Sequence, residues 1–205
     1  MIAALTTGAL LGLFCGLSPG PLLALLFAQT LRHGAREGCK VALTPLITDT
    51  PIILVTLAMA ANVAALRPVL GLVSLAGGAF VLYLAWDSLA PKTSVANTAP
   101  KPPKSWLKGI LTNLLSPHPW LFWLTAGAAM LANAMAQSWL TALAFLCGFY
   151  LFLVGSKILL ALLAARSCNL LAGGPYRLVM RLLAVLLAIF ALLLFRQGLK
   201  LLAVL

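Results

Sequence analysis

Ser18-Pro19-Gly20-Pro21 lies inside residues 2–31, a run of 30 residues without a formal charge. Ser116-Pro117-His118-Pro119 lies inside residues 109–156, 48 residues equally free of charge. The two tetrapeptides stand 98 positions apart. A proline within a helix removes one hydrogen-bond donor and pushes aside the carbonyl four residues back. In hydrocarbon such freed groups are tolerated only where protein or a water-filled cavity receives them. Breaks at corresponding places in the two halves of a chain point to a substrate site between repeats. The pattern predicts a transporter.

Composition supports a membrane setting. Of 205 residues, 63% are hydrophobic and 8% charged, and the mean hydropathy is +1.09. Soluble domains carry about 25% charged residues, so a water-soluble fold is excluded. Residues 2–31 lack the basic start and the small-residue cleavage pattern of a signal peptide, so they read as a mature helix. A net charge of +11 would suggest nucleic acid in a soluble protein. Here the cations sit between apolar runs, where they hold loops on the cytoplasmic side, and no nucleic-acid partner is expected. Cys15, Cys39, Cys147 and Cys168 form no C-x-x-C and no close pair, so neither a disulfide framework nor a metal site is expected. No cofactor is called for.

A helix needs about 20 apolar residues to cross about 30 Å of hydrocarbon. Span one covers residues 2–31 and is broken at Ser18–Pro21. A basic loop with Arg32, His33, Arg36, Glu37 and Lys40 follows, then span two at 41–66 and span three at 68–86. A linker rich in proline and lysine occupies 91–106. Residues 109–156 as one helix would be about 72 Å long, so they fold back, with 133–138 as the polar turn. That yields span four at about 107–131 and span five at about 138–165. Span six covers about 178–202. The expected architecture is an all-α integral membrane protein of six transmembrane helices, a single membrane domain over 1–205. Residues 1–90 and 107–205 form two inverted three-helix repeats about a cytoplasmic linker, and helices one and four are broken at the proline motifs. Lysines and arginines in the loops divide 10 against 3, which places both termini on the non-cytoplasmic side.

Within the first span, Gly8, Gly12 and Gly16 recur every fourth position and form a groove that a helix can approach closely. The groove serves packing, gating or a homodimer. At each break, a helix that stops and restarts shows carbonyls at one end and N–H groups at the other. Such facing ends suit a zwitterion, while a plain proline kink is the alternative. Asp49 is the one carboxylate deep in a span, where a charge costs about 3 kcal/mol. Pro45 and Pro51 flank it and release the carbonyls of Val41 and Ile47. With Val41 at the surface, Asp49 lies about 12 Å inward. It carries a proton, receives a substrate ammonium, or pairs structurally with Lys157. His118 titrates near neutrality or is held neutral by freed carbonyls, and Asn113 and Ser116 add polar groups on the preceding turn. Trp120 and Trp123 line a cavity or simply pack.

The run from Gly16 through Pro21, the segment Gln29-Thr-Leu-Arg-His-Gly34-Ala-Arg-Glu-Gly38, and Asp49 in the next span resemble the LysE/RhtB family of amino-acid exporters. Tyr83 and the stretch from Lys108-Gly109 into Asn113-Leu-Leu-Ser-Pro117 are similar to that family too. The resemblance implies a bacterial inner-membrane protein of six spans that exports amino acids or related metabolites against protons. It also implies that Pro19, Gly20, Pro21, Asp49, Asn113 and Pro117 form the central functional set. Ser116-Pro117-His118 departs from the usual Asn-Pro-Lys of the second half, and residues 43–48 carry a proline and threonines where many relatives carry glycines.

The expectation is therefore a secondary active exporter of a small zwitterion, with protons and membrane lipid as its other partners. Ser18, Pro19, Gly20, Pro21, Asp49, Asn113, Ser116, Pro117, His118 and Lys157 form the substrate and coupling site. A membrane thiol–disulfide electron carrier would need a cysteine at each break, and only Cys15 lies near one. An ion channel is compatible with the breaks. An enzyme is not expected, because no nucleophile–base pair is present.

Overall fold

The computed structural model describes residues 1–58, 63–89, 102–168 and 174–202. All regular structure among them is helical. Helix α1 (Ile2–Leu17) ends at Ser18, whose N–H donates to Phe14 O at 2.9 Å. Helix α2 (Pro21–His33) restarts after extended Gly20, with Pro21 in the first helical position. There a missing N–H costs nothing. The two axes differ by 64°, so the first break falls where the prolines require it.

The basic segment after α2 is helical almost throughout. Only Gly34, with φ +92°, stands between α2 and α3 (Ala35–Ala58). The loop expected over residues 32–40 is thus a one-residue turn, because arginine, glutamate and lysine are good helix formers. Charges mark where a helix leaves hydrocarbon, not where it stops. Val41 is fully buried among neighbouring helices. Asp49 lies 14 residues into α3, about 21 Å along the helix from its start. Helix α4 (Val63–Leu89) contains Pro68, and its stretch apolar enough to cross a membrane, Pro68–Leu89, begins at the start expected for span three.

Most of the expected linker, residues 91–101, lies outside the described residues, and its last two positions open α5 (Ser105–Leu114). After Leu115 and Ser116, α6 (Pro117–Phe122) begins with proline in the first helical position. A π-helical turn, Trp123–Gly127, leads into α7 (Ala128–Gln137). The polar turn expected over 133–138 reduces to extended Ser138, and α8 (Trp139–Cys168) follows at once. Helix α9 (Gly174–Leu201) closes the chain.

Four stretches are long and apolar enough to cross a membrane: Ala35–Thr56, Pro68–Leu89, Trp139–Ser167 and Tyr176–Leu201. The bent α1–α2 pair makes a fifth. Large apolar side chains such as Leu10, Phe14, Leu54, Leu72, Leu151 and Leu192 point outward. In water so much exposed apolar surface would aggregate; in a bilayer it meets lipid. The chain is an all-helical, multi-pass membrane protein.

Two helix pairs make the most extensive contacts, α1 on α8 and α4 on α9. A side chain at Gly8 or Gly12 would collide with the backbone of Phe145 or Phe149, and one at Gly16 with Ser156. Gly148 is in turn pressed against Leu5 O. The groove is therefore filled by α8 of the same chain, which removes it as a dimer surface. One apolar core gathers Leu25, Leu26, Val41, Leu84, Leu187 and Leu194. A second, with Ile52, Trp123, Phe145 and Phe149, backs the site described below. At one end of the bundle Asp87 ties three helices together. Its Oδ2 accepts from Lys108 Nζ of α5 at 2.7 Å, and its carbonyl accepts from Arg32 of α2 at 2.6 Å.

Candidate functional site

Both breaks open on one cavity of about 170 Å³. Ser18, Pro19, Gly20 and Pro21 line it from the first break, and Ser116, His118 and Pro119 from the second. Asp49 and Pro45 contribute from α3, Asn113 from α5, and Phe149, Leu153 and Lys157 from α8. Cys15, Phe122 and Trp123 complete the polar and aromatic wall. Of the residues expected from sequence, only Pro117 does not line the cavity; it is buried as the first residue of α6. Cavities for drug-sized molecules run from about 300 Å³ upward, so this one suits a smaller solute.

Asp49 is only 4% exposed and accepts from three neutral groups. Asn113 Nδ2 donates to Oδ1 at 3.1 Å, while Trp123 Nε1 and the Tyr150 hydroxyl approach Oδ2 at 3.4 and 3.5 Å. Asn113 Nδ2 also donates to Thr48 Oγ1 at 2.6 Å, and Thr48 Oγ1 donates to Thr44 O at 3.0 Å. The carbonyl that Pro45 frees, Val41 O, accepts from Thr44 Oγ1 at 2.8 Å. Thr44 thus meets the carbonyl that Pro45 frees, while the Thr48 hydroxyl orients the amide that holds the carboxylate.

Lys157, also 4% exposed, makes no ion pair with Asp49. Its Nζ donates instead to Gly16 O at 2.9 Å, a carbonyl left open where α1 ends. A cation at a helix C-terminus is favoured by the helix dipole. An ammonium has three donors, so two remain for other groups. The structural pair weighed from sequence is therefore replaced by two buried, opposite charges facing one cavity without touching. At the second break, Trp120 Nε1 donates to Leu114 O at 2.9 Å, so Trp120 serves the backbone while Trp123 serves Asp49. His118 sits exposed at the rim with no hydrogen-bond partner among the described residues.

Tyr150 is the functional candidate that sequence reasoning misses. It stands seven residues before Lys157, two turns along one helix face, and that spacing was the available signal. Cys15 lines the cavity but Cys147 is exposed on α8, so no second thiol is presented there by the described part of α8. No cluster of three metal-ligating side chains forms among the described residues.

Broken helices that enclose a small, charged cavity within a multi-pass membrane bundle fit a membrane translocator, a carrier of solutes rather than an enzyme. The chain belongs to the LysE type translocator family, which it matches over residues 13–198. It is 26% identical over 173 residues to the cysteine/O-acetylserine efflux proteins of Salmonella choleraesuis (strain SC-B67) and Salmonella typhimurium (strain LT2). In both cases 82% of each chain is covered. No solved structure matches the chain.

Proposed function

We propose that this protein is a proton-coupled secondary exporter of amino acids or related small zwitterions across the bacterial inner membrane. The observation that carries the reading is the cavity shared by both breaks, with Asp49 and Lys157 buried in its wall and not bonded to each other. Asp49 receives the substrate ammonium. The two free donors of Lys157 receive the carboxylate, together with the N–H groups of Leu22 and Leu23 in the first turn of α2, which have no intrahelical acceptor. The aromatic and aliphatic wall of Phe122, Phe149 and Leu153 receives a short side chain. The similarity to efflux proteins for cysteine and O-acetylserine fits a solute of that size.

Coupling follows from competition. Asp49 holds either a proton or a substrate ammonium, so each proton that enters displaces a substrate molecule, and antiport results. Ser18, Pro19, Gly20 and Pro21 shape one side of this site. Asn113, Ser116, Pro117 and His118 shape the other. The bent α1–α2 pair and the interrupted α5–α7 run are the broken first spans of two inverted three-span repeats, residues 1–90 and 107–205. The 91–106 linker lies in the cytoplasm and both termini lie outside.

The test uses purified protein in vesicles loaded in turn with L-cysteine, O-acetylserine and L-lysine. An inward proton gradient should accelerate efflux of the small neutral zwitterions. Asp49→Asn should remove the gradient-driven component, more than tenfold, at unchanged protein level. Undiminished gradient-driven efflux from that variant would make Asp49 structural, and wild-type flux indifferent to the gradient would identify a channel.

A further inference from the structure

Three neutral groups donate to Asp49, and they differ in whether they can reverse. The Trp123 indole N–H is a donor only. The Asn113 amide is locked. Thr48 Oγ1 spends its proton on Thr44 O at 3.0 Å, so it can only accept from Asn113 Nδ2 at 2.6 Å. That bond holds the NH2 group, not the carbonyl, against Asp49 Oδ1. The Tyr150 hydroxyl alone carries both a donor and lone pairs. At 3.5 Å it also makes the longest of the three contacts. When Asp49 gains a proton, that O–H needs an acceptor, because a buried donor left unpaired costs about 1–3 kcal/mol.

From this arrangement we infer that Tyr150 is the positioning residue of the coupling step: its hydroxyl donates to ionised Asp49 and turns to accept from the protonated acid. The proton bonds to Asp49 Oδ2, tyrosine keeps its own proton, and only the direction of one hydrogen bond changes. The inference rests on Asp49 being the coupling group. The other titratable groups facing that carboxylate across the cavity are Lys157 on α8, Cys15 on α1 and His118 on α6. Lys157 donates to Gly16 O and makes no ion pair with Asp49, and neither Cys15 nor His118 hydrogen-bonds to Asp49 Oδ2, which accepts from Trp123 and Tyr150. Tyr150 is not part of the cavity wall, so it acts through Asp49 and not on the substrate.

Tyr150→Phe keeps the ring that meets Phe149 edge-on, with centroids 5.2 Å apart, and removes only the hydroxyl. In vesicles with L-cysteine kept reduced, gradient-driven efflux should fall about five- to tenfold with KM within about twofold. Exchange of labelled for unlabelled L-cysteine at equal pH needs no net protonation and should stay within about twofold. On an Asp49→Asn background the same substitution should change exchange no further. Equal losses in efflux and exchange would show a merely structural tyrosine, and wild-type behaviour in both assays would remove the role altogether. If instead Asp49→Asn leaves gradient-driven efflux intact, or the wild type does not move L-cysteine down the gradient, the coupling reading falls and the Tyr150 role falls with it.

Discussion

The two breaks carry similar proline signatures but are finished differently. At the first, the open carbonyl of Gly16 is met by an ammonium from α8, 141 residues away in sequence. At the second, the open carbonyl of Leu114 is met by a neutral indole six residues on. The helices beside the first break are 16 and 13 residues long, whereas α6 has six residues and passes straight into a π-helical turn. A local neutral cap makes a break that can hold its shape unaided. A distant charged cap makes one whose shape depends on what else the charge is doing, and on the proposed function a substrate carboxylate would compete for that same ammonium. On the proposed function the first break would be the responsive one and the second the frame.

The comparison can be broken most severely through α1. Gly12→Leu would drive a side chain into the Phe149 backbone, where overpacking costs about 1–3 kcal/mol or more. Most of the folded protein should be lost, measured as monodisperse yield from membranes; a well-folded variant would show that α1 does not need α8 for its position. Next, Lys157→Met and Trp120→Phe set the two caps against each other. Lys157→Met leaves Gly16 O unpartnered but also removes a buried charge, so the two effects oppose in stability. Efflux should fall more than tenfold with little change in melting temperature. Trp120→Phe loses a neutral hydrogen bond worth about 1 kcal/mol, so the melting temperature should drop about 2–4 °C with efflux within about threefold. Equal functional losses in the pair would erase the distinction. The smallest effect is assigned to His118→Gln, because the imidazole is exposed and unpartnered. Efflux between about pH 5 and 8, the range in which histidines change charge, should change less than about twofold, and a flattened profile would move coupling to the second break.

Much of this architecture is legible in the sequence because proline chemistry is local. Ser18–Pro21 and Ser116–Pro119 interrupt helices where their missing donors require it, and an isolated carboxylate between two prolines has few places to go except a polar cavity. What escapes the sequence is set by packing. Nothing in the Gly8, Gly12 and Gly16 repeat says that its partner is α8 rather than a second chain. The charge-rich stretch after Leu31 reads as a loop, yet one glycine at positive φ suffices to turn it. Val41 reads as the start of the second helix, but α3 begins six positions earlier. Trp123 reaches Asp49 through a π-helical turn that no side-chain pattern announces. Tyr150 is hidden because an aromatic residue in an apolar helix is ordinarily packing.

The pairing of α1 with α8 and of α4 with α9 sets how the molecule can be taken apart. Each partnership joins an element before residue 90 to one after residue 101, so the chain is laced across its own midpoint. Severing it between those positions would yield two fragments, each missing the surface on which its longest contacts form. Neither should accumulate alone, whereas both made together should reassemble. The same cross-pairing favours rearrangements that carry the paired helices as couples over ones that swing one half of the polypeptide against the other.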